Sequence, residues 1–177
     1  AENEFGIISG LILCGMRNDP DNVKAVAELA IEYKEMIIGF DIAGPEKNFL
    51  PSIYKDSFLK VKNEGINITI HAGEGDGVHS IQQALDNGAK RIGHGVRIIE
   101  DISDENKLGD TADYVLQNNI PLEICITSNL HTNMYKKPQD HPISRLNNLG
   151  FNISLNTDNR LMSNTSIENE IKIAKIA

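Results

Sequence analysis

The sequence predicts an α/β domain built as a TIM (β/α)8 barrel, with about six of the eight βα units present in this chain. Three observations support this prediction. Six short apolar or β-branched runs recur about 25 to 30 residues apart, which is the length of one strand and helix repeat. Segments with helical spacing separate the runs, and polar residues with catalytic chemistry stand where several runs end.

The apolar runs are predicted to be strands at residues 7–14, 37–42, 66–71, 91–94, 121–126 and 151–156. Continuous apolar stretches such as LILC at 11–14 are typical of parallel strands that are covered on both faces. We therefore expect the strands to form a parallel sheet.

Helices are predicted between the strands from apolar periodicity and from end signals. The first spans residues 21–34 and follows the start signal Asn18-Asp19-Pro20. A T-x-x-E capping box formed by Thr165 and Glu168 is predicted to open the last helix. Helices at 52–63, 78–87 and 143–149 are each followed by a glycine that we expect as a left-handed C-cap, namely Gly65, Gly88 and Gly150.

Two parallel architectures compete for this pattern. A doubly wound sheet normally carries a glycine-rich phosphate loop after its first strand, and GxGxxG is absent there. In a βα barrel, functional residues stand at the carboxyl ends of several strands, as they do here. A closed barrel needs eight units and usually about 250 residues. We therefore expect residues 1–177 to form a single partial barrel domain whose two missing units precede Ala1.

Composition and charge restrict the class of protein and its partners. Hydrophobic residues make up 40% and charged residues 24% of the chain, as in soluble globular proteins. The net charge of -8 disfavours nucleic acid as a partner, because an acidic surface repels polyphosphate. No apolar run approaches the ~18 residues of a membrane helix, and the N-terminus lacks the basic region of a signal peptide. We expect a cytoplasmic protein without a membrane partner.

The two cysteines carry no redox or metal-binding signature. Cys14 and Cys125 lie far apart inside apolar runs, with no CxxC motif and no Cys/His cluster around them. Free cysteine is usually buried, so both are expected to be reduced core residues.

The third predicted strand ends in His71-Ala72-Gly73-Glu74. A histidine at a strand end can direct a ring nitrogen at a metal, and the Ala-Gly turn lets the carboxylate of Glu74 point into the same pocket. The HxxE spacing is weak evidence by itself, because a core histidine beside a surface glutamate gives the same pattern.

The fourth and sixth strands end in similar polar groups. Gly93 and Gly95 flank His94 and leave its imidazole uncrowded, although glycine also serves a tight bend. Asp158 and Asn159 suit metal ligation and hydrogen bonding to a ligand, respectively, although both residue types also favour turns.

Convergence favours the functional interpretation of these residues. In a barrel the carboxyl ends of the strands share one rim, so His71, Glu74, His94 and Asp158 are expected in a single pocket. If these residues had no functional role, the structural explanation given for each motif would have to hold for all of them at once.

The second strand supplies two further candidates. Gly44 offers an unobstructed backbone N–H to a ligand, whereas Asp41 is expected to brace the loop or to orient a neighbouring side chain. A tight turn set by Gly44-Pro45 is the structural alternative.

Other polar side chains are weaker candidates. Arg17 is expected to form an ion pair with a barrel carboxylate, and His131 remains ambiguous between a structural and a substrate-loop role. His79 and His141 are expected to be surface or capping residues.

These segments resemble the strand-end motifs of the adenosine deaminase family. The matching sequences are FDIAGPE, TIHAGE, RIGHGVR, ICITSN and SLNTDNRLMS, in the family's order and at similar intervals. The resemblance extends from about Leu11 to the last helix. It implies a TIM-barrel, zinc-dependent hydrolase of cyclic amidine C–N bonds that converts adenosine and deoxyadenosine to inosine and deoxyinosine and releases ammonia, in purine salvage.

The resemblance also implies roles for matching residues. His71 resembles one zinc ligand and Asp158 another, whereas Glu74 resembles the proton donor to purine N1. His94 resembles the histidine that orients and helps to activate the zinc-bound water, and Gly44 resembles the residue whose backbone N–H meets purine N3. The implied partner is therefore a small-molecule purine nucleoside.

Two departures from the family pattern affect the expected site. Two further zinc histidines come from an HxH pair on the family's first strand, and this chain has no HxH. Asn159 stands where many members have a second aspartate that contacts N7. An asparagine can still donate a hydrogen bond to N7, so we expect purine binding to survive.

Three alternatives to a complete adenosine deaminase remain at this stage. The chain is expected to be the C-terminal part of a longer enzyme, with little activity as a fragment, because two units and two zinc ligands are missing. An adenine deaminase or a related purine nucleoside deaminase is the second alternative. A barrel module without catalytic activity is the third.

Overall fold

A computed structural model of the chain describes residues 2–177, with side chains described from Glu4 onward. Ala1 of the predicted domain lies outside the described residues. This described part contains six strands: β1 (Ile12–Met16), β2 (Gly39–Ala43), β3 (Thr69–Ala72), β4 (Arg91–His94), β5 (Leu122–Ile124) and β6 (Ile153–Leu155).

The strands pair in parallel and in chain order. β1 pairs with β2, and β3, β4, β5 and β6 form a continuous four-stranded sheet. A parallel bridge between Phe40 and Ile68 joins the two sets. Strand order that follows chain order is the arrangement of a βα barrel. The predicted α/β fold with six βα units is therefore confirmed, and the doubly wound alternative, whose strand order reverses, does not fit.

Helices separate the strands. The α-helices of the described residues are α1 (Glu2–Phe5), α2 (Pro20–Glu32), α3 (Lys55–Asn63), α4 (Val78–Asp86), α5 (Asp110–Gln117), α6 (Ile126–His131), α7 (Ile143–Asn148), α8 (Arg160–Ser163) and α9 (Ile167–Ala174). Short 3₁₀ helices occur at Lys34–Met36, Pro51–Tyr54, Val96–Asp101 and Pro138–Asp140. The glycines predicted as C-caps, Gly65, Gly88 and Gly150, have φ values of 75°, 91° and 87°.

Most element boundaries shift by a few residues from the sequence prediction, and three differences are larger in their consequences. The first strand begins at Ile12 instead of residue 7, and the helix expected at 52–63 is divided into a 3₁₀ turn and α3. The capping box at Thr165 is wrong. Ser166 is the N-cap of α9 and its hydroxyl accepts the N–H of Asn169 at 3.3 Å, because the Thr165 hydroxyl instead donates to buried Glu170 at 2.8 Å.

The inner strands form the core of the sheet. Phe40, Ile42, Ile70, Ile92 and Ile124 are fully buried where helices cover the strands. Burial of each such side chain contributes about 1.5–3 kcal/mol, which fixes the register of the strands and therefore the positions of the residues that follow them. No helix in the part of the chain from residue 2 onward is long and apolar enough to cross a bilayer.

The two thiols lie in different environments. Cys125 is a buried free cysteine, as predicted, but Cys14 is exposed, so its assignment to the core is wrong. Cys14 lies on β1, which pairs only with β2 among the described strands and is covered less than the inner strands.

Candidate active site

A cavity of about 430 Å³ lies at the carboxyl ends of the strands. Its lining includes five of the residues singled out in the sequence: Gly44, His71, Glu74, His94 and Asp158. A neighbouring cavity of about 440 Å³ shares three of them, His71, His94 and Asp158. Each cavity has the size of a small-molecule site, and residues 44 to 158 meet there because parallel strands end on one rim.

Asp41 holds His71 in a defined orientation. The Oδ2 atom of Asp41 lies 2.8 Å from Nδ1 of His71, and Oδ1 accepts the backbone N–H of His71 at 3.1 Å. Burial alone lowers the pKa of His71, but the charge and hydrogen bond of Asp41 outweigh it and raise the pKa to about 9. Because Nδ1 is engaged with the carboxylate, Nε2 is the nitrogen available to a ligand.

Gly93 leaves space for the His71 ring. A Cβ atom at this position of β4 would lie 3.0 Å from Nδ1 of His71 and 3.1 Å from its Cγ. Any larger residue before His94 would therefore push against the neighbouring imidazole.

Asp158 follows β6 in a left-handed backbone conformation, with φ of 54°. Its Oδ2 accepts a hydrogen bond from the Ser128 hydroxyl at 2.7 Å, and its Oδ1 accepts the N–H of Asn159 at 2.8 Å. Burial raises the pKa of Asp158, but these hydrogen bonds and the neighbouring His94 and His71 lower it overall, so the group is a carboxylate at neutral pH.

His94 ends β4 and is 2% exposed. Its φ of 62° is unusual for a residue with a side chain, and strained backbone of this kind concentrates at functional sites. The Nε2 atom lies 3.5 Å from Oε2 of Glu74 and 4.0 Å from Oδ2 of Asp158. Burial, reinforced by the nearby His71, lowers the pKa of His94 to about 4, so the ring is neutral.

Glu74 lies in the loop after β3, and this loop is held by a second carboxylate. Glu46 accepts the backbone N–H groups of Gly73 at 2.6 Å, of Glu74 at 3.0 Å and of Asp76 at 3.0 Å. The side chain of Glu74 is mostly buried, and that burial raises its pKa. A carboxyl group with a raised pKa is suited to donating a proton near neutral pH.

The donor atoms at the cavity fit part of a metal site. Zinc uses carboxylate and imidazole as ligands, and with a pKa of about 9 His71 would release its Nε2 proton on binding the metal. The contact of Asp41 with Nδ1 is the arrangement commonly seen behind a metal-binding histidine. The described residues supply only His71 and Asp158 in this role, and no group of three His, Cys, Asp or Glu residues from 2 to 177 could enclose a metal ion. A complete tetrahedral site would need further ligands.

Two predicted substrate-binding residues have different surroundings. Gly44 lines the cavity and has φ of 99°, a conformation that favours glycine. Asn159 is exposed and is the N-cap of α8, where its Oδ1 accepts the N–H of Met162 at 3.0 Å. Asn159 is absent from the lining of both cavities described above.

Arg17 does not form the predicted ion pair within the described part of the chain. Its fully buried guanidinium donates to the backbone carbonyls of Ile42 and His71, so it joins the ends of β2 and β3. The neighbouring carboxylates are already engaged, since Asp41 faces His71 and Glu46 faces backbone amides.

Of the surface and capping roles predicted for His141, the surface role is wrong, whereas His79 lies at the surface as predicted. Nδ1 of His141 accepts the N–H of Ile143, the first residue of α7, at 3.2 Å. His141 is 3% exposed and contacts Asn129, whose amide in turn contacts His94. His79 is exposed, and its Nε2 lies 3.5 Å from Asp76. His131 is exposed at the end of α6.

Sequence reasoning missed Glu46, Asn129 and His141 as parts of the site. Glu46 and Asn129 each follow a predicted strand end within a few residues, which is the same signal that predicted Gly44 as a site residue. His141 lies in an irregular loop before Pro142, and nothing in its local sequence indicates burial.

Comparisons with known proteins identify similar sequences and structures. The sequence model of the family described as "Adenosine deaminase" matches residues 1–177. A curated protein named "Adenosine deaminase 1", from Streptomyces coelicolor, is 45% identical over 177 residues, which are 97% of this chain and 44% of that protein. This chain therefore spans less than half the length of that relative.

Two solved structures resemble the fold closely. An adenine deaminase from Arthrobacter aurescens has a TM-score of 0.88 and 25% identity, covering 99% of this chain and 52% of the other. The Arabidopsis protein ADAL, in complex with IMP, has a TM-score of 0.78 and 27% identity, covering 93% of this chain and 46% of the other.

Proposed function

This chain belongs to the adenosine deaminase family, and we propose that it carries most of the catalytic residues of a zinc-dependent hydrolase that converts adenosine and deoxyadenosine to inosine and deoxyinosine with release of ammonia. The observation that carries this proposal is the meeting of His71, Glu74, His94 and Asp158 at one cavity. Relatives named as adenosine deaminases support the substrate class.

In this proposal Glu74 is the proton donor to the purine ring. Attack on C6 breaks the aromaticity of the ring and builds charge at N1, so a neutral carboxyl group at N1 lowers the barrier. The burial that raises the pKa of Glu74 favours the protonated form that this role requires.

His71 and Asp158 would hold the zinc ion, and His94 would orient the attacking water. When bound, zinc lowers the pKa of water to about 7 and so supplies a nucleophile at neutral pH. Asp41 keeps Nε2 of His71 directed away from its own carboxylate, and Ser128 fixes Asp158. Gly44 and Asn159 are proposed to contact purine N3 and N7, which for Asn159 requires release from its capping contact with Met162.

The described residues provide two of the ligands that a zinc site needs. We infer that residues 1–177 form the C-terminal part of a catalytic barrel, and that two further histidines and two βα units are supplied by a preceding segment. Two observations support this inference: the chain covers 44% of its Streptomyces relative, and it has no HxH sequence.

Adenine is the alternative substrate. The similarity to the adenine deaminase from Arthrobacter aurescens favours it. Nucleoside and free base present the same six-membered ring to Glu74, so the catalytic residues serve both.

A substrate panel tests the proposal. Ammonia release by the intact protein is measured with zinc present, using adenosine, deoxyadenosine and adenine in parallel. We expect the two nucleosides to be deaminated faster than adenine. Faster release from adenine would replace the proposed substrate, and no release from any of the three would leave the barrel as a binding module without this activity.

A second measurement tests whether this chain is a fragment. The mass of the protein expressed from its own gene is compared with the 19.5 kDa of this sequence. A larger mass is expected. A protein of 19.5 kDa that binds stoichiometric zinc and deaminates adenosine would contradict the inference.

A further inference from the structure

A line of three buried polar side chains leads away from the cavity behind His94. Nδ1 of His94 lies 3.1 Å from Nδ2 of Asn129, and Oδ1 of Asn129 lies 3.2 Å from Nε2 of His141. Asn129 is fully buried and His141 is 3% exposed. Buried polar groups are costly unless they are paired, so this line requires an explanation.

At the far end of this line, a backbone N–H group determines which atoms donate and which accept the hydrogen bonds. The N–H of Ile143 points at Nδ1 of His141, at 3.2 Å. A backbone N–H can only donate, so Nδ1 of His141 is the acceptor. The ring is neutral because burial lowers the pKa of His141 to about 4, and the single ring proton is therefore on Nε2. That N–H donates to Oδ1 of Asn129.

Two partners fix the amide of Asn129 independently. The donor on His141 requires the carbonyl oxygen of Asn129 to face His141. On the opposite side, Nδ2 of Asn129 lies 3.3 Å from Oε1 of Glu74, which also faces the Thr132 hydroxyl at 3.4 Å and is an acceptor in the carboxylate and, as the carbonyl oxygen, in the neutral carboxyl group. Both contacts place the NH₂ group toward His94.

The orientation of Asn129 determines the tautomer of His94. Since Nδ2 of Asn129 donates to Nδ1 of His94, that nitrogen carries a lone pair, and the proton of the neutral ring is on Nε2. Nε2 faces the carboxyl groups of Glu74 and Asp158 at 3.5 and 4.0 Å. Both groups present oxygen atoms near the N–H of this tautomer, and neither forms a hydrogen bond with it in this structure.

We propose that Asn129 and His141 are positioning residues that hold His94 in the Nε2–H tautomer, so that His94 enters the cavity as a hydrogen-bond donor. Neither residue touches the reacting atoms. The order of donation runs from the N–H of Ile143 through His141 and Asn129 to His94, and the backbone of α7 is its fixed end. The catalytic meaning of this tautomer rests on the proposed deaminase function, but the tautomer itself does not.

The structure also favours a fixed position for this line over a mobile one. The ring of Tyr135 packs edge-on against His141 with centroids 4.9 Å apart, and α6 carries Asn129 directly behind the end of β5. A histidine whose second nitrogen is hydrogen-bonded in this way has one ring orientation and one tautomer.

The tautomer of His94 can be measured directly. The intact protein, labelled with ¹⁵N at histidine and free of metal, is studied by long-range proton–nitrogen NMR, which distinguishes Nε2–H from Nδ1–H rings. We expect His94 and His141 both to be Nε2–H. A Nδ1–H ring at His94 in the unaltered protein would overturn the proposal whatever the protein's activity.

The variant Asn129→Asp reverses the last donor in the line. One aspartate oxygen can still accept from His141, but the other would face Nδ1 of His94 with a lone pair. We expect the His94 proton to move to Nδ1, whereas Asn147→Asp, on the exposed side of α7, leaves the spectrum unchanged. An unchanged Nε2–H signal in a folded Asn129→Asp protein would contradict the proposal.

Replacement of His141 separates positioning from packing. His141→Leu removes the donor to Asn129, whereas His141→Gln retains an N–H at about the same reach. We expect kcat for the substrate that is turned over to fall about 10-fold or more in His141→Leu, with little change in KM, and to recover in His141→Gln. Equal kcat values in the two variants, with both folded, would show that His141 only fills space.

Measuring both the His94 tautomer and deamination separates this proposal from the proposed function. Lack of deamination by a protein that shows the Nε2–H ring and its reversal in Asn129→Asp would remove the deaminase and leave the positioning line. Deamination by a protein with a Nδ1–H ring at His94 would keep the deaminase and remove the positioning role of Asn129 and His141.

Discussion

The carboxylate of Asp41 contacts His71 at two points, with Oδ2 at the ring Nδ1 and Oδ1 at the backbone N–H of the same residue. The two residues lie on adjacent strands, β2 and β3. This double contact fixes both the position of the β3 end and the rotation of the imidazole. It leaves Nε2 as the free nitrogen, which is the form that a metal-binding histidine needs.

Asp41→Asn is therefore expected to weaken metal binding. The asparagine oxygen would continue to accept the N–H groups of His71 and Ile42, so its NH₂ group would face Nδ1 of His71. The neutral imidazole would then keep its single proton on Nε2, the proposed metal-binding atom, instead of on Nδ1. We expect zinc affinity to fall about 10- to 100-fold, measured by competition with a chelator.

Asp56→Asn, on an exposed position of α3, is the matched control and should bind zinc as the unaltered protein does. Equal zinc affinity in Asp41→Asn and Asp56→Asn would remove His71 from the metal site.

Glu74→Gln tests the proposed proton donor. The amide of glutamine has the size of the carboxyl group but cannot release a proton at neutral pH. We expect kcat to fall by at least about 100-fold, while KM changes little, because a proton-transfer residue typically contributes 10²- to 10⁴-fold. Glu32→Gln, exposed on α2, should retain full activity. A rate within a few-fold of the unaltered protein would exclude Glu74 as the donor.

Glu46→Gln is expected to loosen the loop that carries Glu74. A carboxylate presents acceptors to all three backbone N–H groups, whereas a glutamine must place its own NH₂ group against at least one of them. Hydrogen bonds to a charged group contribute about 1.5–3 kcal/mol each. We expect a lower free energy of unfolding and faster amide exchange at Gly73, Glu74 and Asp76, measured by denaturant titration and hydrogen exchange.

Glu28→Gln, exposed on α2, provides the comparison for Glu46→Gln. Unchanged exchange at the three amides in Glu46→Gln would mean that the loop is held by other contacts.

The sheet was predictable because its signal is local. Six apolar runs at a regular interval indicate six strands, and the polar residues after them share a rim as a consequence of parallel pairing. The expectation that Asp41 orients a neighbouring side chain follows from the same geometry, and its contact with His71 is of that kind. Boundaries at the first strand and at α9 were wrong because capping and edge effects depend on tertiary partners, such as Glu170 for Thr165.

The supporting residues were less predictable because their partners are remote in sequence. Glu46 contacts a loop that begins 27 positions later, and Asn129 contacts His94, 35 positions earlier. The surface assignment of His141 used the local sequence around Pro142, whereas its burial is set by the packing of Tyr135 and α6. Burial of a loop histidine has no periodic signal in a sequence.

Burial of His141 also predicts how stability depends on pH. The ordinary pKa of an unfolded histidine is about 6.5, and burial lowers the pKa of folded His141 to about 4. Between these values the unfolded chain binds a proton at this position and the folded chain does not, so stability falls as pH falls. The contribution is fully present above about pH 6.5 and decreases by as much as about 3 kcal/mol on reaching about pH 4.

The variant His141→Gln removes this titration and keeps the N–H that faces Asn129. Free energies of unfolding are measured by urea titration from about pH 7 to about pH 4.5, where the unaltered protein should lose stability more steeply than the variant. Comparison of the two proteins at each pH cancels the titration of all other groups that they share. His79→Gln, at an exposed histidine, should follow the unaltered protein. Parallel curves for His141→Gln and the unaltered protein would mean that folding leaves the pKa of His141 unchanged. The contact of Nδ1 with the N–H of Ile143 would then not disfavour the protonated ring.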